Sequence, residues 1–303
     1  MNYQLYKLFF LIKNYNFEKG LSDFNNFQNL SYNEKIKYQE KKINQLLLNA
    51  FTKTKFYLNY KDRSFEDLPI VTKSDMKRSE NFFSTNEKVY RLASTSGSTG
   101  TPLIFPRSIQ AFFNSQVSYF CFLRNFGVNR FDRNIYVGGL RQKDFKSVLK
   151  SKFYSLILAQ KKYSAFDFSK DENIIYFLEK LNKTRSNISY ISGFSQTLYH
   201  IAKRMNSLKI KIEKNLKLVH PNAEAISFSQ KKIISKAFNV EKTPMVYGST
   251  ECHIASECSR NIMHINMSNC FVETINNELV LTVFDTFAHP FIRYKIGDYG
   301  KLQ

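Results

Sequence analysis

Tryptophan is absent from this 303-residue chain, and cysteine occurs only four times. Four cysteines over such a length do not build a disulfide scaffold, so the expected setting is reducing and cytoplasmic. Long apolar runs are also missing. The longest early one, Leu8 to Ile12, is too short for a signal-peptide core or a membrane span. No internal repeat or low-complexity linker interrupts the chain. Acidic residues are few, 25 against 45 Lys and Arg, which leaves a formal charge of +20. That balance favours polyanions in general. Yet Lys41-Lys42, Lys161-Lys162 and Lys231-Lys232 never grow into a basic run, and Asn33-Glu34-Lys35-Ile36-Lys37 mixes signs. A solvated, lysine-biased surface follows rather than a dedicated nucleic-acid patch.

Apolar residues make up 43% of the chain, with 29 Phe and 18 Tyr supplying aromatic bulk. A sizeable core is therefore expected, in one large domain or two modest ones. Ser31 to about Phe51 reads as a helix with Ile36, Ile43, Leu46, Leu47 and Ala50 on one face. Thr72-Lys73-Ser74-Asp75 and Ser169-Lys170-Asp171-Glu172 have the spacing of capping boxes. From Val89 onward, strands at 89–93, 103–105, 134–137, 189–192, 216–220 and 244–247 alternate with helices at 108–126, 171–181, 196–205 and 229–238. This order predicts an α/β fold with layered, largely parallel sheets and flanking helices. Near the end the pattern changes. Cys270–Thr274 and Glu278–Phe284 flank Asn276-Asn277, a hairpin signal. The expected division is an α/β core over 1–260 with a helical lead-in, and a small antiparallel β subdomain beginning at 261–303.

Two short segments carry the chemistry. Ser94-Thr95-Ser96-Gly97-Ser98-Thr99-Gly100-Thr101-Pro102 is rich in glycine and hydroxyls, so backbone N–H groups and side-chain donors can face a phosphate. It is not a Walker A motif, because no Gly-Lys-Ser/Thr follows. Tyr247-Gly248-Ser249-Thr250-Glu251 combines a ring to stack on a base, hydroxyls for phosphate and a carboxylate for Mg²⁺. Together they point to ATP chemistry. Gly193-Phe194-Ser195-Gln196-Thr197 lacks the final glycine of a nucleophile elbow, which argues against a serine hydrolase.

These two segments, with Arg293-Tyr294-Lys295-Ile296-Gly297-Asp298 and His220-Pro221-Asn222-Ala223-Glu224, resemble the ordered motifs of the adenylate-forming superfamily, which includes acyl-CoA synthetases and luciferases. Leu46 to Ala50, Lys55-Phe56-Tyr57 and Asp67 to Asp75 are similar to the N-terminal signature of phenylacetate–CoA ligase-like proteins. Met263-His264-Ile265-Asn266 and the hairpin after it resemble the capsule-biosynthesis members of that branch. The likeness covers roughly residues 40–303. It implies that Ser96, Gly97, Ser98, Thr99 and Gly100 hold the β- and γ-phosphates. Thr250 would then contact the α-phosphate and Glu251 would bind Mg²⁺. Tyr247 and Gly248 would meet the adenine, with Asn222, Ala223 and Glu224 bordering it, and Asp298 would hold the ribose. Tyr136, Gly138, Gly139, Gly193 and Phe194, beside Asn222, are expected to line the acyl pocket. The implied reaction converts a carboxylic acid and ATP to an acyl-adenylate, with onward transfer to CoA or another acceptor.

The resemblance stops short in two places. Leu103 stands where many superfamily members carry Lys. The sequence ends soon after Asp298, without the family's small C-terminal domain and its lysine, so the expectation is a fragment or truncated product, a partner protein that supplies those groups, or a chain that does not complete catalysis. A catalytically incomplete nucleotide- or acyl-binding module is thus a second reading, and a basic nucleic-acid or membrane-surface protein a third. Cys252, His253, Cys258 and His264 have Cys/His spacings that can take Zn²⁺, Cys270 being able to replace one member; buried free thiols are the alternative. Cys121 lies on an apolar helix face and belongs to the core.

Overall fold

The helix predicted from Ser31 is closed at its start by a reciprocal pair. Ser31 Oγ accepts from Glu34 N, and the Glu34 carboxylate accepts from Ser31 N at 2.8 Å. Thr72 and Asp75 repeat the device, with Thr72 N donating to Asp75 Oδ2 at 2.8 Å. The other expected cap fails. Ser169 Oγ turns back to the carbonyl of Phe166 at 3.0 Å, and Lys170 opens the helix without a side-chain bond.

The computed structural model describes residues 2–78, 80–85, 87–95, 102–139, 145–185 and 187–302. Its helices are α1 (Asn2–Leu11), α2 (Phe17–Gln28), α3 (Tyr32–Lys53), α4 (Lys55–Leu58), α5 (Lys73–Arg78), α6 (Ile109–Arg124), α7 (Phe145–Ile157), α8 (Asp171–Lys183), α9 (Ser195–Leu208) and α10 (Phe228–Phe238). The strands are β1 (Val71–Thr72), β2 (Arg91–Ser94), β3 (Ile104–Arg107), β4 (Asn134–Gly138), β5 (Gln160–Ser164), β6 (Tyr190–Phe194), β7 (Leu218–Asn222), β8 (Val246–Gly248), β9 (His253–Glu257), β10 (Met263–Ile265), β11 (Cys270–Ile275), β12 (Glu278–Val283) and β13 (Phe291–Tyr299). Sequence pattern had left α7 and β5 unread, because Lys and Ser interrupt their apolar spacing. No helix among the described residues is long and apolar enough to cross a membrane.

The chain divides into two units, one of residues 1–12, 120–247 and 255–264, the other of 13–119, 248–254 and 265–303. The first holds a four-stranded sheet in the order β5-β4-β6-β7, parallel throughout. Parallel strands need crossover helices, and these bury apolar stripes on the sheet. Phe177 and Leu178 of α8, Leu198 and Ile201 of α9 and Ile234 of α10 pack with Ile135, Val137 and Ile191 of the strands. The chain leaves β4 toward β5 on one side and returns to β6 on the other. The direction of winding therefore reverses between β4 and β6, the place where parallel α/β sheets open a crevice at their carboxyl ends.

The second unit is built on a mixed sheet in the order β1-β13-β12-β11. β11 and β12 form the predicted hairpin, with Ile275 opposite Glu278. Asn276 and Asn277 both take positive φ, 53° and 63°, as a two-residue turn of this hand requires. β1 joins β13 in parallel, Val71 beside Tyr294. β2 and β3 pair antiparallel as a separate hairpin. On α3 the stripe Ile43, Leu46, Leu47 and Ala50 is buried, and Gln39 donates from the same face to the carbonyl of Cys270 at 2.8 Å. The α/β layers and the small antiparallel sheet toward the end of the chain agree with the fold read from the sequence.

Candidate functional site

In the second unit β2 and β3 carry the neck of the glycine-rich loop. Thr95 N donates to the Leu103 carbonyl at 3.0 Å, and Leu103 N donates to Thr95 Oγ1 at 2.9 Å. The two strands are thereby held together on both sides of the loop. Ser96, Gly97, Ser98, Thr99 and Gly100 themselves lie outside the described residues. Thr250 Oγ1 donates to the carbonyl of Ser94 at 3.2 Å, so the tip of the 248–252 turn is tied to the strand that feeds the loop. Ser249 N closes that turn on the Cys252 carbonyl at 2.9 Å. Gly248 stands over the same turn: a Cβ there would come 3.1 Å from the Cys252 carbonyl oxygen.

Glu251 is 4% exposed. Two other buried ionisable groups respond to its charge. Arg107, at the end of β3, is 9% exposed and donates through Nη2 to Ser115 Oγ at 2.9 Å. Burial, then Arg91, lowers its guanidinium to about 10, while Cys252 and Glu251 act in the opposite direction. Burial pushes the Tyr294 phenol up, and the Glu251 charge adds to the shift. Arg107 and Tyr294 thus feel the Glu251 charge, and sequence reading had singled out neither. Two atoms here lack partners: the buried Ser249 Oγ and Arg107 Nε. A buried carboxylate in the same turn as an unsatisfied hydroxyl fits a hard cation and phosphate oxygens.

Arg293 of the Arg-Tyr-x-x-Gly-Asp segment points to structure rather than ligand. Its guanidinium pairs with both Glu273 oxygens, at 3.1 and 3.3 Å, and donates to the carbonyls of Leu68, at 2.9 Å, and Glu66. Asp298, further along β13, is exposed.

In the first unit the expected acyl-pocket residues gather at the carboxyl ends of neighbouring strands. Val137 and Gly193 pair across β4 and β6, and Phe194 pairs with Asn222 across β6 and β7. A Cβ on Gly193 would lie 2.2 Å from the Val137 carbonyl oxygen, so only glycine fits. At Gly138 the Tyr136 ring covers the face where a Cβ would stand, and at Gly139 the Phe194 ring comes within 3.4 Å of that position. Ser195 Oγ reaches the carbonyls of Asn222, at 3.0 Å, and Glu224, at 2.9 Å, and the Glu224 carboxylate accepts from Gln196 N at 3.0 Å. The 222–224 turn is thereby stapled to the start of α9, with Ala223 at φ 67°. Ser195 is the residue that makes this staple, and its hydroxyl is engaged there. Tyr247 closes this unit's share of β8, half-buried. His220 Nδ1 meets the Pro244 carbonyl at 2.9 Å, and burial drops its imidazole to about 4.

Two comparisons with solved structures match this architecture. A 2-hydroxyisobutyryl-CoA ligase in an open conformation, in complex with 2-HIB-AMP and CoA, aligns with a TM-score of 0.64 at 16% identity, over 85% of this chain and 67% of that one. The same ligase in its thioesterification state aligns at 0.63 and 16%, over 89% and 64%. The chain has the fold of this CoA ligase. No protein-family model matches it. Among curated proteins it is similar to Protein CapK of Staphylococcus aureus, 26% identical over 248 residues, or 79% of this chain and 54% of that protein. The chain therefore spans about half the length of this curated relative.

Within the ligase fold the zinc expectation needs correction. Among the described residues no three His, Cys, Asp or Glu side chains are placed to hold a metal ion. Cys252 and Cys258 flank the five-residue β9 at opposite ends, and the six extended steps between them span about 20 Å. Cys252 is buried, its thiol raised first by a bond with Cys270 and then by burial. Cys258 stands at a turn with the exposed His264, and the N–H groups of Arg260 and Ile262 draw its thiol down to about 7. His253 is 7% exposed within β9. The buried-thiol alternative describes Cys252 and Cys270.

Proposed function

We propose that this chain activates a carboxylic acid with ATP, forming an acyl-adenylate and releasing pyrophosphate. A carboxylate oxygen of the acid attacks the α-phosphorus, and the bond to the β-phosphate oxygen breaks. The observation that carries the reading is the 249–251 turn, where the buried Glu251 and the unpartnered Ser249 hydroxyl sit on a backbone tied through Thr250 to the phosphate-loop strand. Glu251 would hold Mg²⁺, which when bound offsets charge on the phosphates. Thr250 orients the α-phosphate, Ser96 to Gly100 take the β- and γ-phosphates, and Asp298 accepts from the ribose hydroxyls. Tyr247 stacks on the base, with Asn222, Ala223 and Glu224 at its border. Tyr136, Gly138, Gly139, Gly193 and Phe194 line the acyl pocket, with Phe194 as an apolar wall. Catalysis of this kind rests on positioning and charge, without a protein nucleophile.

Onward transfer to CoA is supported by the ligase neighbours, whose structures hold an acyl-AMP and CoA. The phenylacetate–CoA ligase-like branch, and a place in surface-polysaccharide assembly, are supported by the N-terminal signature, the 263–266 segment and the likeness to Protein CapK. Calorimetric titration of Mg·ATP into the wild-type chain and Asp298→Ala tests the nucleotide site. Isotope exchange between pyrophosphate and ATP across a panel of acids tests turnover. Binding that Asp298→Ala abolishes, with acid-dependent exchange, supports the full reading. Binding without exchange favours the incomplete binding module, and a well-folded chain that binds no ATP defeats both.

A further inference from the structure

Helices α1 and α7 belong to the first unit and adjoin each other. Asn2 Nδ2 donates to the Leu156 carbonyl at 3.3 Å, and the rings of Phe9 and Tyr154 lie 6.1 Å apart. Each helix already buries an apolar stripe, Tyr6 and Phe10 on α1 and Ile157 on α7. Each also presents a second one outward. Leu5, Leu8 and Leu11 are exposed at i, i+3 and i+6, and Leu149, Phe153 and Leu156 at i, i+4 and i+7. Phe153 is 58% exposed and Leu156 73%. A helix pair that is apolar on its outer face needs a partner there.

The charge around this face says which partner. Residues 1–17 and 145–166 contain no Asp or Glu. They do contain Lys7, Lys152 and Lys161, and the last two are exposed, Lys161 on β5, the edge strand of the sheet. A second copy of the chain would bring the same lysines against these and be repelled. A surface that is apolar and anionic satisfies both features. Helices of 10 and 13 residues are too short to span a bilayer, which takes about 20. They suit a helix pair lying in the headgroup layer, with lysine stems extended along it and ammonium groups on phosphates.

We propose that the outer face of α1 and α7 docks on a membrane surface bearing anionic phospholipid headgroups. The proposal is independent of the adenylation reading. Flotation of the full chain with phosphatidylcholine vesicles, with and without phosphatidylglycerol, tests it. Wild type is expected to float with the anionic vesicles and to be released by salt. Leu8→Glu/Phe153→Glu should lower the bound fraction at least tenfold. Lys152→Glu/Lys161→Glu should weaken binding roughly tenfold and flatten its salt dependence. All four side chains are exposed, so both variants should keep the wild-type circular dichroism and thermal transition. Failure to float with anionic vesicles, equal partition onto neutral ones, or binding unchanged in the two variants overturns the proposal. So does a solution dimer that Leu8→Glu/Phe153→Glu dissolves.

Discussion

At the ends of β4, β6 and β7 the positions expected to line the crevice are glycines and turn backbone, packed closely where Gly193 lacks a Cβ and fixed by the Ser195 staple. At the 248–252 turn they are ionisable side chains sunk into the fold: Glu251, Arg107 and Tyr294. One unit shapes space and the other concentrates charge. The lesson is that damage should separate. Altering the first should injure folding before chemistry, and altering the second should injure chemistry before folding.

The sharpest way to break that contrast is Glu251→Gln. Loss of the proposed metal carboxylate should cut pyrophosphate exchange by about 10²- to 10³-fold, a loss of the size seen when one preorganised electrostatic group is removed. Its melting temperature should remain close to wild type. Retained exchange, or a collapsed fold, would remove Glu251 from the chemistry. Gly193→Ala should do the reverse. A methyl 2.2 Å from the Val137 carbonyl oxygen forces the two strands apart, at a cost of about 3 kcal/mol in urea titration. Gly139→Ala, whose methyl meets only the Phe194 ring at 3.4 Å, should cost under about 1 kcal/mol.

Acid should weaken both units alike. Burial lowers His220 in the first and His289 in the second to about 4, from an ordinary value of 6.5. The unfolded chain takes up these protons first, so stability is intact above about pH 6.5 and falls as pH drops toward 4. Each histidine contributes about 3 kcal/mol to that slope. His289 sits among Phe82, Phe83, Phe105 and Phe291 with neither ring nitrogen hydrogen-bonded. His289→Phe should therefore flatten the acid limb and raise stability at neutral pH by about 1–2 kcal/mol. Urea titrations at pH 7 and 4.5 read both effects. A modest change is expected of Arg293→Lys, which keeps the charge but loses the paired contact with Glu273, costing about 1 kcal/mol and leaving exchange intact.

Much of the scaffold could be read in advance because local chemistry agreed with tertiary demand. Asn276-Asn277 can take positive φ, Ser31 and Thr72 had acids three residues on, and alternating strands needed crossovers. The glycines at 138, 139 and 193 stood out as small residues at strand ends, and at Gly193 only a backbone without Cβ fits. Arg107 could not be found this way, since an arginine after a strand reads as a solvated end until its burial is visible. The zinc set failed because closeness in sequence is not closeness in space when the residues between are extended. Ser169 shows that a capping pattern proposes a bond which a nearer carbonyl can win.

The β1 to β13 pairing has a consequence for how the protein is made. Val71 aligns with Tyr294, and Arg293 grips the carbonyls of Glu66 and Leu68. On the ribosome, the segment holding β1 emerges long before its sheet partner exists. At roughly 5–20 residues per second that interval is on the order of ten seconds or more. Residues 120–247, by contrast, carry their whole parallel sheet in one stretch and can assemble as they emerge. Early-synthesised strand edges around Val71 are thus the natural clients of a chaperone, and slowing translation across the middle of the message should lengthen their exposure without touching any residue of the finished fold.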